Sequence, residues 1–273
     1  MKRRMLMTAG VCVPLVLSLG CAAAGQGVGN LGMQMPAVRT LPSKNILMIV
    51  GNENRVVLPG TSIADVFVKN RLELDMGHAV TRMADTTSAA AMLSAANSAD
   101  LVIIAESVTS MSIGTKISST PTPIFSYEAF LQDELGLVDP EGETVDPGTP
   151  DEGAFGAIQG QTHINIVDSA HPLAAGLDGL VQVYRFPREM NFGRDVAPEA
   201  EVVATLPDYP SGALIYVLRK GAATFSGEPS PGLRVQYFTE NDNETGTVNL
   251  MTNLGLQLFD AAVNYALVTD VAP

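Results

Sequence analysis

Two glutamates stand where a parallel sheet would place ligand-binding groups. Glu106 follows the strand-like run Asp100–Ala105. Glu128 follows a second such run, Pro123–Tyr127. Because parallel strands end at one edge of a sheet, we expect both carboxyl groups there, where they could act as acid and base or hold a cation. Glu128 has an alternative role, since a carboxylate at the start of a helix accepts free N–H groups and favours the helix dipole.

Four further polar residues are candidates for the site. Asn52 and Glu53 follow the first strand-like run, and Ser107 stands beside the first glutamate. We expect these three to contact a ligand. His171 precedes a proline in a turn, and because histidine titrates near neutral pH it is a third candidate for acid–base work. The alternative for His171 is a capping role before the small residues Ala174–Gly176.

Other motifs that carry chemistry are absent from the sequence. His78, His163 and His171 have no HxH or HExxH spacing, so we expect no metal site. No glycine-rich loop follows a strand, so we expect no nucleotide cofactor. Cys12 and Cys21 both precede the folded region, which leaves it without a thiol nucleophile, and no Gly-x-Ser-x-Gly motif replaces one.

Alternating strand and helix patterns position these residues. Apolar runs predict strands at 45–50, 78–83, 100–105 and 123–127, with helices at 62–76, 86–99, 110–118 and 128–135. Such alternation with short connections predicts an α/β fold, in which a mainly parallel sheet carries helices on both faces. The simplest topology is a doubly wound, flavodoxin-like sheet.

The second half of the chain has a different pattern. Val138–Gly153 is acidic and proline-containing, which predicts a long exposed loop. Beyond it, short apolar runs predict strands at 161–167, 181–185, 201–206, 213–218 and 233–238, and a last helix at 250–267. We expect an antiparallel extension of the sheet, followed by a strand and a helix that rejoin the parallel part.

The N-terminus has the order of a secretory signal peptide. A basic cluster at residues 2–4 precedes the apolar run Met5–Leu19. That run is shorter than the roughly 20 residues that a membrane-spanning helix needs. Cys21 then stands where a bacterial lipobox places its lipidated cysteine, so we expect lipid attachment there. Ordinary cleavage within Ala22–Gly25 is the alternative.

These signals divide the chain into three predicted parts. Residues 1–21 are the leader, residues 22–43 are a flexible tether, and residues 44–270 are a single α/β domain. We therefore expect an exported protein of the cell envelope, which is lipid-anchored at Cys21 or otherwise periplasmic or secreted. Its only contact with the membrane would be the lipid.

The charge and composition narrow the class of partner. The formal net charge is −13, which repels phosphate backbones, so we expect no nucleic-acid partner. Tryptophan is absent and aromatic residues make up 5% of the chain, so stacking platforms for sugar rings are scarce. The partner left by these exclusions is an unidentified small molecule, glycan or protein.

The order of elements from about Lys44 to Leu267 resembles the class I glutamine amidotransferase-like fold. Within it, the trehalose-utilisation (ThuA-like) branch and related exported bacterial domains are the most similar. The segments that carry the resemblance are Ile46–Asn52 (ILMIVGN), Asp100–Glu106 (DLVIIAE), Pro123–Gly136 (PIFSYEAFLQDELG) and Ile166–Leu177 (IVDSAHPLAAGL). The His-Pro-Leu-x-x-Gly-Leu stretch in the last segment is the most specific.

The resemblance implies a fold without the family's reaction. In true amidotransferases the strand that begins at Pro123 would lead to an elbow that carries a nucleophilic cysteine. That position falls at about Glu128, so thiol-dependent glutamine hydrolysis is excluded. We favour a non-catalytic domain used for ligand binding or assembly. The alternative is a hydrolase or other enzyme that acts on a small carbohydrate-type substrate through Glu128 with Glu106 or His171.

Overall fold

The computed structural model describes residues 42–51, 62–240 and 247–268. The predicted leader, Cys21 and all but the last two residues of the predicted tether lie outside these ranges. Within the described ranges, no helix combines the length and the apolar character needed to cross a bilayer.

A mixed sheet with flanking helices makes up the described structure. Its strands are β1 (Asn45–Val50), β2 (Ala79–Ala84), β3 (Leu101–Ile104), β4 (Ile124–Ser126), β5 (Thr144–Val145), β6 (Phe155–Gln161), β7 (His163–Ile166), β8 (Gly179–Gln182), β9 (Arg188–Gly193), β10 (Glu201–Thr205), β11 (Ala213–Leu218) and β12 (Arg234–Gln236). Its α-helices are α1 (Ile63–Asn70), α2 (Ala89–Asn97), α3 (Ser110–Ile113) and α4 (Asn253–Val268). A π-helical turn covers Arg71–Asp75, and 3₁₀ turns cover Ala129–Leu131, Pro172–Ala174 and Val248–Leu250.

Five neighbouring strands form a parallel half of the sheet. They lie in the order β2-β1-β3-β4-β12, and each adjacent pair is parallel. This is the flavodoxin-like strand order, with β12 in the fifth position. The residues Ile46–Val50 and Leu101–Ile104 are all buried, because helices cover both faces of this half. The predicted α/β fold with a doubly wound parallel sheet is confirmed.

Alternate residues of the parallel strands face different helices. Ile46 and Met48 share a core cluster with residues of α1 and α4. Leu47 and Ile49 share the opposite cluster with residues of α2 and α3. Burying each such aliphatic side chain contributes roughly 1.5–3 kcal/mol, so the strand pattern alone stabilises a three-layer arrangement.

The remaining strands form the antiparallel extension that the sequence predicts. β11 pairs antiparallel with β12, followed outward by β10, β7 and β8. β6 and β9 form an antiparallel pair that joins β11 through β9. β9 and most of β6 were not predicted from the sequence. β9 carries Glu189 and Asn191 among its buried residues, and β6 contains Gly156 and Gly160, so neither shows a plain apolar pattern.

The helix predicted over 62–76 contains an irregular end. Ser62 caps α1, and its Oγ accepts the N–H of Asp65 at 3.0 Å. The π-helical turn follows, and Gly77 ends it with φ 77°, a conformation that favours glycine. Within that turn Arg71 donates from Nε and Nη2 to the two carboxylate oxygens of Asp260, each at 2.6 Å, which pins this region to α4.

The helix predicted over 128–135 is wrong, because only the three-residue 3₁₀ turn forms there. Phe130 has φ −104° and ψ 28°, which are not helical. Gln132 is fully buried, and its Nε2 donates to the carbonyl oxygen of Phe192 at 3.1 Å. Packing against β9 therefore overrides the local helical pattern.

Candidate functional site

The candidate residues gather mainly at the edge where the parallel strands end, called here the carboxyl edge. The chain passes from β1 to β2 on one side and then to β3 on the other, so the strand order reverses between β1 and β3. Open α/β sheets bind ligands at such a reversal. Gly51 and Ser107 follow these two strands, and a Cβ at Gly51 would lie 2.0 Å from the carbonyl oxygen of Ser107. Glycine is therefore required for the two backbones to approach so closely.

Ser107 joins three elements at this edge. Its Oγ accepts the N–H of Gly51 at 3.0 Å and donates to Oδ2 of Asp65 at 2.8 Å. Asp65 lies in the first turn of α1 and is 1% exposed. The Ser107 hydroxyl thus uses its donor and one acceptor position to hold β1, β3 and α1 together.

Glu106 ties the end of β3 to the C-terminal helix. Its side chain is buried. Oε1 accepts the backbone N–H of Thr247 at 3.2 Å, and Oε2 accepts the Thr247 hydroxyl. Thr247 directly precedes the 3₁₀ turn that leads into α4. The carboxyl group is therefore an internal hydrogen-bond acceptor in this structure.

Glu128 lies level with Glu106 on the neighbouring strand. The pairing of β3 with β4 matches Ile104 with Ser126, two residues before each glutamate. Glu128 is buried, and its Oε1 accepts the N–H of Phe130 at 3.3 Å. The side chain thus caps the short 3₁₀ turn, which is the alternative role that the sequence suggested.

The environment of both glutamates favours their protonated form. Burial is the largest cause, and it raises the pKa of Glu106 to about 7 and the pKa of Glu128 to about 8. Nearby carboxylates add to both shifts: Asp65 acts on Glu106, and Glu106, Glu134 and Asp146 act on Glu128. Groups with such pKa values exchange protons at neutral pH, as general acids and bases do.

Tyr127 presents a buried hydroxyl within electrostatic reach of Glu106 and Asp65. Its ring packs against Phe125 and Phe259, with ring centroids 5.6 and 6.2 Å away. Within the described ranges, its hydroxyl has no hydrogen-bond partner. Burial, with a smaller effect from Asp65 and Glu106, raises the pKa of this phenol well above its usual value. The hydroxyl therefore stays protonated and can donate to a bound molecule.

Two buried amides hold the peptide that carries Glu128. Asn191 on β9 donates from Nδ2 to the carbonyl oxygens of Tyr127 at 3.1 Å and Thr239 at 2.6 Å. Gln236 on β12 donates from Nε2 to the carbonyl oxygen of Glu128 and to Oδ1 of Asn191, both at 3.2 Å. Both amides are fully buried, so these bonds are shielded from water.

Five of these residues were not predicted from the sequence: Asp65, Tyr127, Asn191, Gln236 and Thr247. The carboxyl-edge rule, applied to the last predicted strand as well as to the first ones, points to Gln236 and the residues beyond it. Asn191 lies on a strand that the sequence did not predict. Nothing in the spacing of α1 distinguishes Asp65 from a surface carboxylate.

His171 lies at the other edge of the sheet, called here the amino edge. β12 is parallel to β4, and each step from β12 through β11 and β10 to β7 reverses the strand direction. β7 therefore runs opposite to β4, and the turn that follows it lies where β4 begins. The structure does not bring His171 to Glu128 or Glu106, so the predicted combination of His171 with Glu128 is wrong.

His171 has a capping role at the amino edge. Its Nδ1 accepts the N–H of Leu173 at 3.1 Å and so caps a 3₁₀ turn. Its Nε2 lies 3.3 Å from Oε2 of Glu201, although the two atoms are not aligned as a hydrogen bond. Glu201 also accepts hydrogen bonds from Nε and Nη2 of Arg219. Burial lowers the pKa of His171, which Glu201 and Asp168 partly oppose.

Two predicted ligand contacts, Asn52 and Glu53, lie outside the described residues. In the described part of the chain, no group of three or more Asp, Glu, His or Cys is arranged to hold a metal ion. Because His171 lies at the amino edge, the predicted acid–base group is reduced to the pair Glu106 and Glu128.

Comparisons with known proteins add the following findings. No protein-family model matches the sequence. No curated protein sequence matches it either. One solved structure with a similar fold is described as a putative ThuA-like protein from Bacteroides uniformis, with 11% sequence identity and a TM-score of 0.46. The likeness covers 85% of this chain and 96% of that one. At this level of similarity the resemblance to ThuA-like and amidotransferase-like proteins stays a prediction.

Proposed function

We propose that this is an exported, lipid-anchored envelope protein whose α/β domain binds a ligand at its carboxyl edge without catalysing a reaction there. The ligand is a small molecule, a glycan or a segment of another protein. The proposal for the N-terminus depends on the sequence alone, through the signal-like leader and Cys21.

One observation carries the non-catalytic part of the proposal: both edge glutamates already serve as acceptors for their own chain. Glu106 is bonded to Thr247, and Glu128 caps the turn at Phe130. A catalytic pair needs a base within hydrogen-bond reach of a reacting proton, and the candidate His171 lies at the opposite edge. These carboxyl groups therefore shape the edge and hold its loops.

The location of the ligand is supported by the topology and by Tyr127. The carboxyl edge at the strand reversal is the usual ligand position in doubly wound sheets. The buried Tyr127 hydroxyl has no partner within the described ranges, and leaving such a donor unbonded costs about 1–3 kcal/mol. A ligand or water that accepts this bond would recover part of that energy.

A thermal-shift screen of the purified domain tests the binding proposal. The probes are uncharged mono- and disaccharides, amino acids and nucleosides at millimolar concentration. A ligand of the carboxyl edge raises Tm, and Tyr127→Phe and Glu128→Gln weaken its binding roughly tenfold or more. Thr205→Val is the matched control, because Thr205 is also buried but lies on β10. A ligand that binds all three variants as tightly as the wild type would place the site elsewhere.

Metabolic labelling with a palmitate analogue tests the anchor. The wild-type chain should take up label and fractionate with membranes, whereas Cys21→Ser should do neither. Unlabelled wild-type protein that is released in soluble form would contradict lipidation and support ordinary cleavage.

The raised pKa values favour a second candidate, a hydrolase that acts on a small carbohydrate-type substrate through Glu128 and Glu106. A carboxyl group that is protonated at neutral pH can act as a general acid, and its neighbour can act as a base. A panel of aryl glycosides tests this candidate. Turnover by the wild type that falls about 10²–10⁴-fold in Glu128→Gln would support it. Turnover that is equal in both proteins would exclude Glu128 from the chemistry.

A further inference from the structure

We propose that Gln236 on β12 and Asn191 on β9, two buried amides that are bonded to each other, are positioning residues that fix the direction in which Glu128 presents its carboxyl group. This inference rests on the proposed function, because it assumes that Glu128 belongs to the ligand site. It adds a role for a strand of the antiparallel extension in building that site.

The backbone of Glu128 is held at both of its polar atoms. Its N–H donates to Oγ of Ser126 at 3.3 Å, and its carbonyl oxygen accepts from Nε2 of Gln236 at 3.2 Å. The preceding carbonyl, that of Tyr127, accepts from Nδ2 of Asn191 at 3.1 Å. Two consecutive peptide groups are thus clamped at the point where β4 ends.

The clamp is internally linked and extends to a second strand end. Oδ1 of Asn191 accepts from Gln236, so each amide orients the other. Nδ2 of Asn191 also donates to the carbonyl oxygen of Thr239, just beyond β12. Because all of these groups are buried, rotation of either amide would leave carbonyl oxygens unbonded, at a cost of about 1–3 kcal/mol each.

The consequence for Glu128 is a fixed, water-poor position. The pairing of β4 ends at Ser126, and Glu128 keeps an extended backbone, with φ −87° and ψ 127°, before the 3₁₀ turn. In this conformation the carboxyl group accepts the N–H of Phe130, and the residue is 4% exposed. Releasing the carbonyl oxygen of Glu128 would let the carboxyl group turn towards water.

Carbon-13 NMR titration of the Glu128 carboxyl in the intact domain tests the clamp, with the proton itself as the probe and Glu128→Gln to assign the signal. The obvious variant, Asn191→Leu, removes donors from two carbonyls and can prevent folding. Gln236→Met is the decisive variant, because it keeps the volume and also removes Oε1, which has no partner within the described ranges. In Gln236→Met we expect the pKa of Glu128 to move from about 8 towards its ordinary value by about one unit.

Thr205→Val is the control, since Thr205 is buried on β10 and its Oγ1 likewise has no partner among the described residues. It should leave the titration of Glu128 unchanged. An unchanged titration in Gln236→Met, or an equal shift in Thr205→Val, would overturn the positioning role. The outcome is separable from that of the proposed function. If Glu128→Gln weakens ligand binding but Gln236→Met leaves the titration of Glu128 unchanged, the site is kept and the clamp is rejected. If Gln236→Met shifts the titration of Glu128 but Glu128→Gln binds the ligand as tightly as the wild type, the clamp is kept and the site is rejected.

Discussion

Glutamate side chains at the two edges of the sheet have pKa values shifted in opposite directions. At the amino edge Glu201 is partly exposed and receives both Arg219 donors, and these hydrogen bonds lower its pKa. At the carboxyl edge Glu106 and Glu128 are buried, and within the described ranges the hydrogen bonds they accept come from uncharged donors. Burial raises their pKa values to about 7 and about 8.

The contrast distinguishes a structural carboxylate from one that is a candidate for function. An ion pair at a half-exposed surface stabilises the folded state at neutral pH, although weakly. A buried carboxyl without a cationic partner lowers stability whenever it ionises, so its presence is not explained by stability alone. The contrast supports the carboxyl edge as the proposed ligand site and a structural role for the group around His171.

The largest expected effect is on the pH dependence of stability. The folded-state pKa values of Glu106 and Glu128 lie above the ordinary 4.5, so their contribution is fully present below pH 4.5 and is lost as the pH rises through about 7 and 8. Urea unfolding should therefore give a free energy lower at pH 8.5 than at pH 5 by about 3 kcal/mol or more. A stability that is flat or higher at pH 8.5 would mean that these groups ionise freely.

Removing one of the two ionisable groups should reverse part of that loss. Glu128→Gln keeps an oxygen acceptor for the N–H of Phe130 but cannot ionise. At pH 8.5 we expect the variant to be more stable than the wild type by about 2 kcal/mol, and at pH 5 to differ by less than about 1 kcal/mol. Urea unfolding at both pH values measures the difference. A variant that is less stable at both would show that the ionised form is tolerated in the folded state.

The hydrogen bonding between Glu106 and Thr247 can be weakened without changing a carboxyl group. Thr247→Val removes the hydroxyl donor, and because that bond opposes the raised pKa of Glu106, the pKa should rise further above about 7. We expect a loss of about 1–2 kcal/mol that is greater at pH 8.5 than at pH 5. Carboxyl titration by NMR together with urea unfolding measures both effects. Equal losses at the two pH values would show that the hydroxyl only packs.

The smallest effect belongs to the amino edge and has the opposite sign with pH. The lowered pKa of Glu201 gives a contribution that is present above pH 4.5 and is lost as the pH falls through the folded-state value. Because the pair with Arg219 is partly exposed, Glu201→Gln should remove only about 0.5–1 kcal/mol at pH 7, and less at pH 3. Unfolding curves at both pH values check this. A loss as large as that expected for the carboxyl edge would erase the distinction between the two edges.

Much of the parallel half was predictable because its strands are buried on both faces. A strand such as β1 must then be a continuous apolar run, and such runs stand out in any sequence. β9 was not predictable in this way, since it buries the polar residues Glu189 and Asn191, and Asn191 is stabilised by hydrogen bonds to distant segments. The helix predicted after Glu128 does not form, again because of a contact with a distant segment: Gln132 is buried and donates a hydrogen bond to β9.

By itself, the sequence determined the α/β class, the absence of cysteine after residue 21, and the placement of Glu106 and Glu128 beyond two neighbouring strands. These features depend on local patterns and on residue types. The tertiary structure alone decided that His171 lies at the opposite edge, because the direction of β7 depends on how many times the extension reverses. It also decided that the pKa values of the two carboxyl groups rise to about 7 and about 8 and that Gln236 holds the backbone of Glu128, because burial and long-range hydrogen bonds arise only when distant segments pack together.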